Sequence, residues 1–237
     1  MYLKTRSFLA AGLLVLSAGT LRAQSLATFG SAELAGFGEG SALLGTSWSQ
    51  GHQGWGPVVD LVGQTYRYSN GNNSHAQAYS ISPSVGLVNT MPEGSVQGMV
   101  GYSFVNTTFP NIIAGNQTGS TNGAFVSAQG NYWGTGENSA QAIGSYGFKD
   151  EYYWTRFRAA HRLAPATQPI YVGGEVVLQG SQKAIPSQFR YQVGPTIEYR
   201  LSPEFRVGAS TGYRGGNNSF SGTGYARIEF LLLTKLN

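Results

Sequence analysis

Three arginines fall within seven residues of the stretch YYWTRFRAAHRL, residues 152–163. A guanidinium presents five N–H donors in a planar fork, matched to carboxylates, phosphates and other polar solutes. Arg156, Arg158 and Arg162 therefore point to one of two chemistries: a ladder that contacts a polar or anionic solute, or a set of Arg–carboxylate pairs that stiffens the protein. Catalysis needs a nucleophile or base with a partner. His52 and His75 lie among Gly, Asn and Ser and read as solvated turn residues. His161 falls near the end of its segment on the apolar parity, suiting an interfacial side chain. A His161–serine pair stays open, but no Ser-centred elbow accompanies it. With no cysteine and no His-rich spacing, neither a thiolate nor a metal centre is expected, and no cofactor is implied. The glycines of GFGEGSALLG (36–45) are not followed by Gly-Lys-Ser/Thr and so form no phosphate loop. Asp60 shares the parity of Gln64 and Tyr66, with no evident partner.

The elements that hold such residues follow from their spacing. On a helix, the arginines would scatter around the circumference and leave no apolar face. On a strand, alternate residues point to opposite sides. Tyr152, Trp154, Arg156, Arg158, Ala160 and Arg162 then share one face, and Tyr153, Thr155, Phe157, Ala159, His161 and Leu163 the other. The strand reading explains the pattern.

The same alternation recurs to the C-terminus. In FRYQVGPTIEYRL (189–201), Phe189, Tyr191, Val193, Pro195, Ile197, Tyr199 and Leu201 oppose Arg190, Gln192, Gly194, Thr196, Glu198 and Arg200. In EFRVGASTGYR (204–214), Phe205, Val207, Ala209 and Tyr213 oppose Arg206, Gly208, Ser210 and Arg214. About twelve segments result: 25–35, 40–49, 55–68, 76–88, 94–106, 122–133, 137–148, 152–163, 169–180, 189–201, 203–214 and 222–233. The connections sort by side: SQGHQG, NTMPEG, GTGE, APATQ and SP are short, whereas the alternate set includes SNGNNSH, NTTFPNIIAGNQTGSTNG, SQKAIPSQ and RGGNNSFSG, with only KDE and the first turn short among them. Short turns at one end and long loops at the other are the mark of an antiparallel transmembrane β-barrel, whose strands alternate apolar-out and polar-in. A soluble β-sandwich or barrel is the runner-up, with no reason to sort its loops.

Composition agrees. Lys4 and Arg6 precede an apolar run from Phe8 to Leu16 and a small-residue exit, RAQS, the pattern of a signal peptide over residues 1–23 with cleavage after Ala23 or Ser25. A single barrel domain would occupy 24–237. Charged residues make up 11% of the chain, far below the ~25% usual for soluble domains. Without the leader, twelve basic residues face eleven acidic ones, so the high pI is no argument for nucleic acid.

In a barrel, the arginines face the lumen, because on the lipid side each costs ~2–4 kcal/mol near mid-membrane. Lumen carboxylates for them are Glu175 and Glu198, and Arg190 and Arg206 join the same interior as candidate solute contacts. Twelve strands leave a narrow bore that Trp154 and the arginines can fill. On this reading Arg158→Leu costs little insertion free energy, and a general small-solute channel or a lipid-modifying enzyme remain alternatives to a structural role.

The segments EYYWTRFRAAHRL, IYVGGEVVLQGS and RYQVGPTIEYRLSPEFRVGASTGYR, with GWGPVVDLVGQTYRYS and GSVQGMVGYSF upstream and the terminal GYARIEF, resemble the cellulose biosynthesis protein BcsS family over most of residues 28–232. Two features depart from the family pattern: Asp60 stands where a basic residue is expected, and the chain runs past Phe230 as LLLTKLN. The resemblance implies a bacterial outer-membrane barrel, non-enzymatic, linked to cellulose or other exopolysaccharide production or export. Its implied partners are outer-membrane lipid and a polysaccharide or the cellulose-synthesis machinery.

Overall fold

A computed structural model describes residues 24–50, 53–69, 75–108, 119–134, 136–163, 169–183, 188–217 and 222–236. The leader expected over 1–23 and His52 lie outside these residues. The alternating segments fold as twelve strands: β1 (Gln24–Ala35), β2 (Glu39–Gln50), β3 (Gly54–Ser69), β4 (His75–Met91), β5 (Gly94–Thr108), β6 (Gly119–Tyr132), β7 (Asn138–Gly147), β8 (Tyr152–Arg162), β9 (Ile170–Ser181), β10 (Gln188–Arg200), β11 (Phe205–Gly216) and β12 (Thr223–Leu236). Each pairs antiparallel with the next, and β12 returns to β1, closing an all-β barrel. Several strands outrun their sequence-level bounds, because pairing rather than local propensity ends them. The tail Thr234–Leu236, beyond the expected end of the last strand, pairs with Gln24–Leu26 and completes the closure.

Side-chain alternation sets the two surfaces. On β4, Tyr79, Ile81, Val85 and Leu87 are exposed, while Ser80 and Ser84 between them are buried. Leu34, Leu44, Leu61, Val100, Phe104, Phe157, Val193, Ile197 and Ile228 continue the outer band. So much contiguous apolar surface is a liability in water and matches bilayer hydrocarbon. Aromatic pairs edge the band at the long-loop end, where Tyr102 meets Phe104, Tyr146 meets Phe148, and Tyr191 meets both Phe189 and Tyr213. Trp48, Trp55, Tyr132 and Tyr199 edge it at the end that holds the termini. That short-turn end is the periplasmic one in this architecture.

Two prolines interrupt the ladders. Pro83 and Pro195 have no N–H to donate. Regular β4–β5 pairing stops at Ile81–Phe104 and resumes at Ser84–Gly101; β10–β11 pairing stops at Val193–Tyr213 and resumes at Thr196–Ser210. Beside Pro195 the backbones close up, so that a Cβ on Gly194 would strike the Thr211 carbonyl and one on Gly212 the Val193 carbonyl. Glycine is required there by close approach.

The interior has little conventional core. Val58, Val88 and Met99 form one small buried cluster on the β3–β5 wall. At the outer rim, the β1–β2 turn places Phe37 at φ 62° between Gly36 and Gly38. His75 Nε2 donates to the Phe37 carbonyl at 2.6 Å. His75, expected in a turn, instead heads β4 and, still partly exposed, pins the neighbouring turn.

Candidate functional site in the barrel interior

The strand parity puts Arg156, Arg158 and Arg162 of β8 on the inner face, with Phe157, Ala159 and His161 outside. Their partners come from far around the wall. Arg156 Nη1 donates to Glu229 Oε2 of β12 at 3.0 Å, and Arg158 Nη1 donates to the other oxygen of the same carboxylate. Arg158 Nη2 reaches Glu175 Oε2 on the adjacent β9 at 3.0 Å and Ser210 of β11 at 3.3 Å. Glu175, whose side chain is 0% exposed, takes a second arginine, Arg227 Nη1, at 2.9 Å and the Tyr225 hydroxyl at 3.2 Å. Arg227 then forks onto Glu33 of β1, with Nε at 3.0 Å and Nη2 at 2.5 Å, and donates to Gln192 Oε1. Gln192 Nε2 closes the cycle on Glu33 at 2.8 Å.

The other branch leaves Arg156 Nη2 for Gln141 of β7. Gln141 Nε2 donates to Asn131 Oδ1 of β6 at 2.9 Å, and Asn131 Nδ2 to Ser95 of β5 at 3.1 Å. One hydrogen-bonded chain therefore runs from Ser95 to Glu33 and touches nine of the twelve strands. Two smaller clusters flank it. Toward the outer mouth, Glu39 of β2 receives Arg214 Nη2 at 2.8 Å and Arg190 Nη1 at 3.4 Å. Toward the periplasm, Arg200 Nε lies 2.7 Å from Glu198, with Arg206 4.0 Å from the same oxygen, and the Arg200 guanidinium sits 3.8 Å over the Tyr171 ring.

Each site residue named from sequence can now be located. Arg156, Arg158 and Glu175 meet in the central network. Arg190 belongs to the outer cluster, and Glu198 and Arg206 to the periplasmic one. Glu198 is no partner of the β8 arginines, because it lies near the opposite end of its strand from Arg190 and is held by its neighbour Arg200. Arg162 stands beside Tyr171 at the periplasmic end, a turn of the pleat beyond the cluster. Arg158→Leu touches more than insertion free energy: Arg158, whose side chain is only 8% exposed, is one of two arginines on each of Glu175 and Glu229, so its loss leaves Glu175 with Arg227 and Glu229 with Arg156. Asp60 faces inward beside Ser47 and Ser84 on the quieter wall. His161 points outward and hydrogen-bonds Asn138 at 2.9 Å.

Sequence reasoning missed the cross-barrel partners Glu229, Arg227, Glu33, Glu39 and Arg214 as site residues, and Gln141 on the adjacent β7. A usable signal existed. Most of the first half's few acids lie on inward parity, and a lone carboxylate in a bore must meet a cation from some distant strand.

Residues 15–233 match the model of the family described as cellulose biosynthesis protein BcsS. The chain belongs to the BcsS family. No curated protein matches it. Among solved structures, this BcsS-family chain is similar to the β domain of the Bordetella autotransporter BrkA, with TM-score 0.53 and 11% identity, covering 89% of this chain and 98% of that one. It is also similar to a deletion mutant of TodX, a monoaromatic hydrocarbon channel, with TM-score 0.54 and 8% identity, covering 94% and 92%. Identities this low speak to fold alone. The closed twelve-strand barrel, its apolar outer band and its polar interior are those of a bacterial outer-membrane protein, and the family associates it with cellulose biosynthesis.

Proposed function

We propose that this BcsS-family barrel is a non-enzymatic accessory of cellulose or related exopolysaccharide production, seated in outer-membrane lipid as an anchoring component and not as an open conduit for the polymer. The observation that carries this reading is the hydrogen-bonded chain from Ser95 to Glu33, which bridges β8 to β12 through the interior with paired, desolvated charges. A passing glucan would have to break ion pairs whose separation strands buried charge. The interior arginines are occupied by carboxylates, which supports a stiffening role over solute contact for Arg156 and Arg158. An enzymatic role would need a nucleophile beside a base; His161, on the outer face, engages Asn138 instead.

The test is deletion of the gene with cellulose secretion as readout, alongside planar-bilayer recordings of the purified barrel. The accessory reading expects altered cellulose and no discrete conductance. Unaltered cellulose overturns the cellulose assignment, and large steady conductance in the native protein overturns the closed bore. Loss of a lipid modification on His161→Ala would assign an enzyme.

A further inference from the structure

A groove of about 1080 Å³ opens on the outer face of the wall, across β5 to β10. Its floor is made of small residues: Gly130, Ala140, Ala159 and Gly174 all sit on outward parity. Its course follows the register. Gly94, the first residue of β5, lies opposite Tyr132, the last of β6. Tyr132 lies opposite Ala140, Ala140 opposite Ala159, and Ala159 opposite Gly174, the fifth residue of β9. The row therefore starts at the periplasmic rim and climbs to the middle of the wall, where the exposed Val176 faces Val193 of β10. Five strand spacings make about 24 Å, and with strands tilted by about 40° that path rises about 15 Å, half of a ~30 Å hydrocarbon core. The groove is as deep as one leaflet.

Polar groups gather where it meets the rim. Glu93, in the β4–β5 turn, lines it there beside Tyr132. Trp133 Nε1 donates to the Pro92 carbonyl at 2.9 Å and holds that turn against the end of β6. One pleat repeat below Ala140 and Ala159, on the outward side of β7 and β8, His161 Nδ1 donates to Asn138 Oδ1 at 2.9 Å. That bond leaves Asn138 Nδ2 and His161 Nε2 for other partners. Among the described residues, no lysine or arginine side chain points outward from the strands β5 to β10.

We infer that this groove holds one phospholipid of the periplasmic leaflet, with an acyl chain along the Gly130–Gly174 floor and a zwitterionic phosphoethanolamine head at the rim. The inference rests on the barrel's seat in outer-membrane lipid and takes nothing from the cellulose reading. An acyl chain fits the course, because the groove runs from the interface to the midplane as each chain of a leaflet lipid does. Against a flat wall such a chain has protein atoms on one side only. In the groove it gains them from the floor and both flanks, and each contact adds dispersion attraction. The head group follows from charge. Glu93 accepts from an ammonium, Asn138 Nδ2 donates to a phosphate oxygen, and His161 does so from Nε2 once protonated. Two strand spacings, about 10 Å, separate the two ends, the reach of a phosphoethanolamine with a hydrogen bond at either end. Tyr132 stands between them at the head-group level, where interfacial aromatics sit. A phosphoglycerol head brings only negative charge to Glu93 and finds no cation on this face. A choline head cannot donate a hydrogen bond to the carboxylate.

The experiment is native mass spectrometry of the purified, heat-modifiable full-length barrel, delipidated in detergent and titrated with phosphatidylethanolamine, phosphatidylcholine and phosphatidylglycerol of identical acyl chains. The native protein is expected to hold one phosphatidylethanolamine at least fivefold more tightly than either of the others. Ala159→Phe, which fills the floor, should weaken that binding at least tenfold. Ala226→Phe, on the exposed outer face of β12, should leave it within twofold. Glu93→Gln should remove the margin over phosphatidylglycerol. If Ala159→Phe loses the folded gel shift, Ala140→Phe on the same row carries the same threshold. Absence of a one-to-one lipid adduct, equal binding of the three lipids, or equal loss in Ala159→Phe and Ala226→Phe overturns the inference. So does a native dimer that Ala159→Phe converts to monomer, which would give the groove to a second copy of the chain. A barrel that fractionates with the outer membrane yet retains no lipid overturns this site alone. Recovery as a soluble periplasmic protein overturns the membrane seat and the site together.

Discussion

Arg158 on β8 and Glu229 on β12 are hydrogen-bonded through the barrel interior, although β9, β10 and β11 separate them along the wall. With Arg156 on the second oxygen of the same carboxylate, the contact fixes the distance between strands that share no ladder. Pairs this buried contribute little net stability compared with apolar packing, but breaking one partner out is costly.

Glu229→Gln is accordingly expected to destabilise the barrel by about 3–5 kcal/mol, since it takes the carboxylate from Arg156 and leaves Arg158 with Glu175 alone in a desolvated bore. The midpoint of the heat-modifiable gel shift in urea reads this directly. Combining Glu229→Met with Arg156→Met should recover part of the loss. An unchanged midpoint for Glu229→Gln would mean that the network is not formed in the membrane.

Close strand approach gives a second, steric expectation. Gly212→Ala drives a Cβ into the Val193 carbonyl and should cost about 1–3 kcal/mol as strain. Gly98→Ala, on β5, meets nothing within 4 Å and should be neutral in the same urea assay. Equal midpoints for the two variants would place the β10–β11 ladder differently.

The strained rim turn predicts a gain. Phe37 at φ 62° carries a left-handed penalty of about 1–2 kcal/mol that glycine does not. Phe37→Gly should raise the unfolding midpoint, while His75→Ala, which removes the donor to the Phe37 carbonyl, should lower it. A fall on Phe37→Gly would show that the ring's contacts outweigh the backbone strain.

The sequence made the wall of this barrel legible and left its interior wiring obscure. Period-two alternation marked all twelve strands, because each strand must satisfy hydrocarbon on one side and polar groups on the other. The inward face of Arg156 and Arg158 followed from that period alone. What alternation cannot carry is which inward charge meets which. The Arg156–Glu229 pair joins residues 73 apart, and the Arg227–Glu33 pair joins residues 194 apart, contacts set by ring closure and shear. Local reasoning assigned Glu198 to the β8 arginines by proximity in the chain, and the height of each residue along its strand decided otherwise. The turn around His75 misled for a related reason: a Gly/Asn-rich context spoke for solvent, whereas the partner was a carbonyl on the distant β1–β2 turn.

The β8 strand offers the sharpest check on both the fold and the site. Arg156 and Arg158 alternate with Phe157, which is 52% exposed on the outer band, and with Ala159. The chain has no native cysteine, so single cysteines placed at 156, 157, 158 and 159 report without background. In outer-membrane vesicles, a small water-soluble thiol reagent should label 156 and 158 from the lumen and spare 157 and 159, which lipid covers. The energetics should follow the same parity for different reasons. Ala159→Arg places a charge against hydrocarbon and should cost ~2–4 kcal/mol if it sits near mid-membrane. Arg158→Leu introduces no such penalty, yet it leaves Glu175 with Arg227 alone and Glu229 with Arg156 alone and should cost about 1–3 kcal/mol in lost charge-assisted hydrogen bonds. A companion change separates the two causes: adding Glu175→Gln to Arg158→Leu should restore part of the loss, because Arg227 keeps Glu33, whereas nothing done to lumen carboxylates should rescue Ala159→Arg. Reversed labelling, or rescue of Ala159→Arg by the carboxylate changes, would place the β8 arginines on the outer face and remove the network with them.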